Sequence, residues 1–322
     1  MKRFKNLLVV APDDDTKIDE VLAAAIDLAQ RNEAELTVFS VVEKIPARRR
    51  FLEQNSKRID LEELLLQSRM DYLKQVTPPT PFPVTHDVVS GVDYLEIIEK
   101  VSSGGYDLVI TAPEPEPARR GLRSSSLIMH LMRKCPVPVW VHSPDTATST
   151  SVAVAVGPLD AGEPTDSLNR KLLELGSSMA QLRGGALHII HAWRLEGETL
   201  MRSPRLAGNS SRIELMAEEA FSEANQRLQE LIASVDLVDD SAKIHLVKGH
   251  AGDVVADAVA EIDPGIVVMG TVARTGIPGM IIGNTAERVL GSLDTSVLAV
   301  KPYGFVSPVE ALKSWEPQQL PY

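Results

Sequence analysis

Two glycines near the C-terminal end of the sequence have the surroundings of a phosphate-binding loop. An apolar run ends at Gly270, and Gly283 opens a helix-like pattern after an irregular segment. Glycine lets the backbone approach a ligand closely, and the free N–H groups and the dipole of a helix start attract an anion. A strand followed by a loop and then by the N-terminus of a helix can bind phosphate through backbone groups. The candidate residues are Gly270, Thr271, Val272, Ala273, Arg274, Gly283, Asn284 and Thr285.

Each part of this segment has a role in such a site. Gly270 permits close approach, and residues 271–273 present N–H groups. Arg274 offsets phosphate charge, because its guanidinium matches phosphate oxygens. Residues 283–285 donate from the helix start, and each charge-assisted hydrogen bond contributes about 1.5–3 kcal/mol. The competing interpretation is that the glycines only turn the chain and Asn284 caps a helix.

Composition restricts the class of protein. The chain has 322 residues, is 44% hydrophobic and 24% charged, and carries a net charge of −11. These values predict a globular protein of two domains, and the acidity argues against a nucleic-acid binder. The sequence contains no apolar run long enough for a membrane span, no signal peptide and only one cysteine, Cys135, which we expect to be buried. We therefore expect a cytoplasmic location.

The two halves of the chain repeat the same order of elements. Strands alternate with amphipathic helices in each half, and Val10-Ala11-Pro12 has its counterpart in Val156-Gly157-Pro158. Gly91 likewise matches Gly249. Extra residues of the second half are expected in 194–211. The predicted domains are residues 1–143 and 151–302, joined by a polar linker and followed by a tail at 303–322.

Alternating strands and helices predict two α/β domains, each a doubly wound parallel sheet of five strands. Ligands of such sheets bind beyond the carboxyl ends of the strands, where the strand order reverses. In the second half these positions are the loop with Gly157, Pro158 and Asp160, and the loop that follows Gly270. His191 ends a neighbouring strand and borders the same crevice in one interpretation; in the other it is a structural histidine.

The repeated α/β unit resembles a tandem universal stress protein of the E type, over nearly the whole chain. ATP-binding members of that family carry Gly-x2-Gly-x9-Gly-(Ser/Thr) after the fourth strand. The second half keeps this spacing as Gly270-x2-Ala273-x9-Gly283-Asn284, with two residues changed. The resemblance implies a non-catalytic stress-response protein that binds a ligand, with ATP or AMP and Mg²⁺ as the candidates and no required cofactor.

The resemblance also shows where this chain departs from nucleotide-binding members. They carry an acidic residue just after the first strand; the first half has Asp13 there, whereas the second half has Asp160 slightly later. The first half instead lacks the glycine loop, since residues 111–117 contain two glutamates and three prolines. An apolar segment, 277–282, suggests an alternative: a lipid-like ligand or a protein partner in place of a nucleotide.

Other chemistry is not indicated by the sequence. It contains neither a P-loop nor a dinucleotide-binding motif, and no nucleophile lies beside a base. We therefore expect no enzymatic activity beyond slow hydrolysis of a bound nucleotide. His188 and His191 lie on opposite faces of one strand, and no metal site is expected. The resemblance further implies that the last strands of the halves pair, giving an intramolecular pseudo-dimer, with a homodimer left open. Pro136 and Pro138 suggest an edge strand there.

Overall fold

The computed structural model describes residues 4–12, 15–47, 50–54, 57–113, 126–143, 149–159, 161–163, 165–203, 210–237, 241–271, 283–292 and 295–313. The elements of the first half are, in chain order, β1 (Asn6–Val10), α1 (Asp15–Asn32), β2 (Glu35–Glu43), β3 (Phe51–Gln54), β4 (Lys57–Asp60), α2 (Leu61–Val76), β5 (Val84–Gly91), α3 (Asp93–Gly104), β6 (Leu108–Thr111), α4 (Ser126–Lys134) and β7 (Val139–Val141).

The second half repeats this order without the β3–β4 hairpin. Its elements are β8 (Val152–Ala155), α5 (Thr165–Arg183), β9 (Leu187–Trp193), α6 (Glu198–Met201), α7 (Ser210–Ala233), β10 (Lys243–Lys248), α8 (Ala251–Ile262), β11 (Ile266–Gly270), α9 (Asn284–Ser292), β12 (Ser296–Val300) and α10 (Pro308–Lys313).

Both halves contribute to one ten-stranded sheet with the order β10-β9-β8-β11-β12-β7-β6-β1-β2-β5. Neighbouring strands within each half are parallel, and each half has the doubly wound arrangement expected from the sequence. The halves meet where β12 pairs antiparallel with β7, with Leu298 opposite Trp140. The predicted fold, including the intramolecular pseudo-dimer, is confirmed.

Hydrophobic periodicity explains how helices cover this sheet. The face of α1 predicted from spacings of three and four residues is buried throughout: Ile18, Val21, Leu22, Ala25, Leu28 and Ala29. These side chains pack with Leu7, Val9 and Ile110 of the sheet in one hydrophobic cluster. A second cluster, which includes α3, α4, α8 and α9, covers the opposite face. Both faces are therefore buried, as parallel sheets require.

The strand β7 corrects an expectation drawn from its prolines. Pro136 and Pro138 suggested an edge strand, but β7 pairs with β6 on one side and with β12 on the other. The strand begins at Val139, after both prolines, so their missing N–H groups remove no bond from the β7 ladders. The carbonyl of Pro138 still accepts from the amide of Val109 at 3.0 Å.

Polar contacts across the junction supplement the strand pairing. Arg133 of α4 forms an ion pair with Glu287 of α9 at 3.1 Å, and Arg31 donates to the carbonyl of Leu182 at 3.0 Å. The amide of Ser143 donates to the hydroxyl of Ser296 at 2.9 Å. The C-terminal tail also crosses the junction, because α10 packs against α3 of the first half. Residues 314–322 lie outside the described part of the chain.

The junction predicts a measurable loss of stability when a central side chain is shortened. Leu298 is 1% exposed in the middle of β12. Leu298→Ala should lower the free energy of unfolding by about 2–5 kcal/mol, because it leaves a cavity in a packed core. Urea denaturation followed by circular dichroism measures the change.

A matched leucine tests whether position decides the effect. Leu65 of α2 is 46% exposed, and Leu65→Ala should change the free energy of unfolding by no more than about 0.5 kcal/mol. Equal losses for the two variants would contradict the central role of the junction.

Candidate functional site

The strand order of the second half reverses between β8 and β11, which are adjacent and parallel. Ala155 is the register partner of Met269, so the residues that follow each strand emerge side by side at one edge of the sheet. The sequence placed the candidate loops after these two strands. The structure brings their first residues, Gly157 and Pro158 on one side and Gly270 and Thr271 on the other, to the same switch point.

The loop after β8 is held by an asparagine of α5. The amide of Gly157 donates to Oδ1 of Asn169 at 2.9 Å, and Nδ2 of Asn169 donates to the carbonyl of Pro158 at 3.3 Å. Asn169 is buried, and its side-chain amide bonds both the N–H of Gly157 and the carbonyl of Pro158. Asp160, the acidic residue proposed for this loop, lies outside the described residues.

Packing against α5 disfavours a side chain at Gly270. A Cβ atom at this position would lie 2.9 Å from Cδ2 of Leu168 on α5. A larger residue would force the leucine to move, because a contact this short is repulsive. The sequence supported close approach of a ligand to Gly270; the structure adds close approach of a helix.

Thr271 has less freedom than the sequence suggested. Its amide, expected to face a phosphate, donates to the carbonyl of Val300 at 3.3 Å, and its carbonyl accepts from the amide of Gly283 at 3.4 Å. This second bond places the start of α9 beside the end of β11. Residues 272–282, which connect them, lie outside the described part of the chain.

The other predicted loop residues are described only in part. Val272, Ala273 and Arg274 lie outside the described residues. Asn284 and Thr285 form the first two positions of α9. His191 is buried on β9, and its Nδ1 lies 3.4 Å from the carbonyl of Val156 at the end of β8.

A lysine that sequence reasoning missed links this site to the first half. Lys301 follows β12, is 4% exposed, and donates from Nζ to Oγ1 of Thr271 at 2.5 Å and to the carbonyl of Met132 on α4. Burial lowers the pKa of its amine to about 7. A polar residue directly after a buried strand was the signal that could have identified it.

Lys171 of α5 places a second amine near the carboxyl end of β12. Its Nζ donates to the carbonyl of Lys301 at 3.2 Å and lies 4.6 Å from the ring centre of Tyr303. Burial lowers the pKa of Lys171. Two lysines therefore flank the switch point of the second half, in a chain whose net charge is −11.

At the carboxyl ends of the first-half strands, side chains of the same half form hydrogen bonds with the loops. Arg69 donates to the carbonyl of Pro12 at 2.7 Å and to the hydroxyl of Ser40 at 2.9 Å. Lys17 donates to the carbonyl of Pro113 at 2.9 Å. The cations near this crevice thus bind backbone and hydroxyl oxygens at the ends of β1, β2 and β6. Asp13 and the acidic, proline-rich residues 114–117 lie outside the described part.

A hollow of about 430 Å³ lies at the carboxyl ends of β9 and β10, two strands away from β11. Its charged groups are paired with one another: Lys248 with Glu198 at 2.7 Å, and Arg194 with Glu196 at 3.1 Å. The sequence did not indicate this hollow. Its mutually paired charges do not single out an anionic ligand.

The geometry defines a class of protein: two doubly wound α/β units that share one sheet, with a crevice at a switch point. The family model "Universal stress protein family" matches residues 3–142 and 156–301. The chain therefore belongs to the universal stress protein family, with two family units in tandem.

Comparisons with individual proteins agree with this assignment. The chain is 28% identical over 315 residues to the Universal stress protein E homolog of Haemophilus influenzae, covering 93% of this chain and 98% of that protein. It is 27% identical over 323 residues to Universal stress protein E of Escherichia coli K12, covering 96% and 98%. A functionally unknown Pseudomonas aeruginosa protein shares the fold, with a TM-score of 0.68 and 23% identity over 98% of this chain and 99% of that one.

The described residues also bear on membrane spans and metal sites. None of the helices within them is long and apolar enough to cross a membrane. Within the same ranges, no three histidine, cysteine, aspartate or glutamate side chains are grouped to hold a metal ion.

The buried amine of Lys301 predicts a pH dependence of stability. Its pKa of about 7 in the folded chain lies below its ordinary value of 10.5. Between these values the unfolded chain holds a proton that the folded chain lacks, so stability contributed by this group rises with pH. From pH 7 to 9 the wild type should gain up to about 1 kcal/mol per pH unit relative to Lys301→Met.

Urea denaturation at half-unit pH intervals measures this difference. The series runs from pH 7 to 9, which lies between the pKa of Lys301 in the folded chain and its ordinary value. Parallel pH profiles of wild type and variant would show that the amine is not desolvated in the folded chain.

Proposed function

We propose that the protein is a non-catalytic, cytoplasmic stress-response protein that binds an adenine nucleotide at the switch point of its second half. Occupancy of this site, rather than turnover, would be the signal. The observation that carries the proposal is the hydrogen bond from the amide of Gly283 to the carbonyl of Thr271, 3.4 Å long, which joins the start of α9 to the end of β11. This bond sets the N-terminus of α9 beside the ends of β8 and β11, where doubly wound sheets bind ligands.

The charges around this junction of β11 and α9 support an anionic ligand. The start of α9 carries a partial positive charge. Lys301 and Lys171 place two amines at the same edge. Because Lys301 already contacts Thr271, a phosphate bound to the loop would favour its protonated form.

The turn after β8 suits the remaining part of a nucleotide. Asn169 of α5 holds Gly157 and Pro158 in place through two hydrogen bonds. Nδ1 of His191 lies 3.4 Å from the carbonyl of Val156, directly before this turn. We propose that Gly157, Pro158 and Asp160 face the nucleoside, and that 270–274 and 283–285 face the phosphates.

The first half is the weaker candidate for the same ligand. Arg69 and Lys17 bind oxygens of its own strand ends, and two glutamates follow its fourth parallel strand in the sequence. A bound phosphate would meet carboxylate repulsion there. We propose that this half has a structural role or binds a partner.

A carboxylate placed at the start of α9 tests the site without removing Gly270, whose replacement would disturb Leu168. Asn284→Glu should preserve the helix, because an acid at a helix N-terminus is stabilising. It should weaken binding of Mg-ATP or AMP at least about tenfold, because a carboxylate near phosphate costs several kcal/mol at an effective dielectric constant of about 20. Isothermal titration calorimetry measures the affinity.

The equivalent helix of the first half supplies the matched control. Ser126 is the exposed first residue of α4, and Ser126→Glu should leave the affinity unchanged. Weakened binding in this variant alone would move the nucleotide to the first half. Retained binding in Asn284→Glu would reject the proposed site.

Native mass spectrometry of the purified protein separates the nucleotide from the apolar alternative. A nucleotide-sized increment on addition of Mg-ATP supports our proposal. A heavier co-purified apolar species, lost when Ile281 and Ile282 are replaced by serine, would favour the hydrophobic segment 277–282, whose sequence is unusually apolar for a loop.

A further inference from the structure

Two histidines on neighbouring strands share a hydrogen bond far from the switch-point loops. Nδ1 of His188 on β9 lies 3.0 Å from Nε2 of His245 on β10. The ring planes differ by 10° and the ring centres are 5.1 Å apart. A neutral imidazole has one donor and one acceptor nitrogen, so one of these two nitrogens donates its N–H to the lone pair of the other.

The strand register explains why these side chains meet. Lys243 is the partner of His188, and His245 is the partner of Ile190, so all four point to the same face of the sheet. Ile190 packs in the cluster that includes α8. Burial lowers the pKa of His188, with further contributions from His245 and Lys243, which keeps its ring in the neutral form that binds metals.

The spacing of the nitrogens is close to that of a metal chelate. Imidazole nitrogens bind Zn²⁺ at about 2.0–2.1 Å in tetrahedral geometry, which separates two ligating nitrogens by roughly 3.4 Å. Opening the observed 3.0 Å contact to this value needs movement of a few tenths of an ångström, together with a rotation of both rings that turns their nitrogen lone pairs from the N–N line toward the metal. The proton between the nitrogens need not leave the protein, because the donor ring can carry it on its other nitrogen instead.

The position of the pair allows a hydrated ion to enter. His188 is 8% exposed, but His245 is half-buried on β10, the edge strand of the sheet. Water on the open side of β10 can complete the coordination that two imidazoles begin. Such a site has only two protein ligands. It therefore does not conflict with the finding that the described residues contain no group of three or more histidine, cysteine, aspartate or glutamate side chains that could hold a metal ion.

The first half provides an internal contrast. The equivalent ladder positions are Thr37 on β2 and Asp87 on β5. The hydroxyl of Thr37 lies 3.1 Å from that of Tyr106, and Asp87 pairs with Lys100 at 2.7 Å, so these two side chains are engaged elsewhere and not with each other. The histidine pair is therefore a feature of the second half alone, and the fold of the repeat does not require it.

We propose that His188 and His245 form a two-histidine chelate for a hydrated divalent transition metal of the Cu²⁺, Ni²⁺ and Zn²⁺ group. Imidazole suits these metals, and affinity should fall from Cu²⁺ to the other two. The site is independent of the proposed nucleotide site, which lies at the ends of β8 and β11.

Titration of the full-length protein with Cu²⁺ tests the proposal, with electron paramagnetic resonance as the second readout. The wild type should bind one equivalent with two coordinated nitrogens. His245→Asn, on the exposed side of the pair, should bind at least tenfold more weakly and lose one nitrogen from the spectrum. His188→Asn should act likewise, and circular dichroism verifies that both variants fold.

His86→Asn is the matched control. His86 lies on β5, the edge strand at the other end of the sheet. Its Nε2 lies 2.9 Å from the hydroxyl of Thr77. This variant should bind Cu²⁺ as the wild type does. Wild-type affinity in His245→Asn, or an unchanged two-nitrogen spectrum, would overturn the proposal. Calorimetry with Zn²⁺ and Ni²⁺ should show the same loss in His245→Asn.

Discussion

The antiparallel pairing of β7 with β12 is the contact on which the arrangement of the molecule depends. Each half alone would end in an unpaired strand with buried residues on both faces, which is a liability for any sheet. By pairing these strands, the chain converts two edges into the centre of one sheet. Leu298 and Trp140 then lie opposite each other under helices from both halves.

This pairing also fixes where each crevice lies. Strands within a half are parallel, but the halves run in opposite directions, so the carboxyl ends of the two sets emerge at opposite edges of the sheet. The ends of β1 and β11 therefore lie on opposite sides of the sheet. The nucleotide site proposed for the second half accordingly uses residues of that half alone.

Local patterns in the sequence were sufficient for much of the fold. The apolar spacing of α1, the short buried strands and the glycines at Gly91 and Gly249 each predict their elements without tertiary information. The hairpin β3–β4 was missed, because its polar and basic residues do not show a buried strand pattern. The pairing of β7 with β12 was implied by the family resemblance, whereas Pro136 and Pro138 taken alone pointed to an edge strand, because pairing partners are decided by contacts distant in the chain.

The candidate site was predictable in outline only. Glycine spacing gave the strand–loop–helix unit, since it reports a local backbone requirement. The roles of Leu168, Asn169 and Lys301 arise from α5 and from the opposite half, and a single sequence does not record such contacts. The same holds for His188 and His245, which are 57 residues apart in the chain but 3.0 Å apart in space.

The C-terminal helix α10 has a consequence for how the halves stay together. The second half is connected to the first by the linker before β8, and its far end returns to the first half through α10 on α3. Two tethers keep the halves at a high effective concentration for each other, so a transient opening of the β7–β12 ladder is followed by re-pairing within the same chain. Exchange of strands between molecules, the usual hazard of exposed edges, is thereby disfavoured.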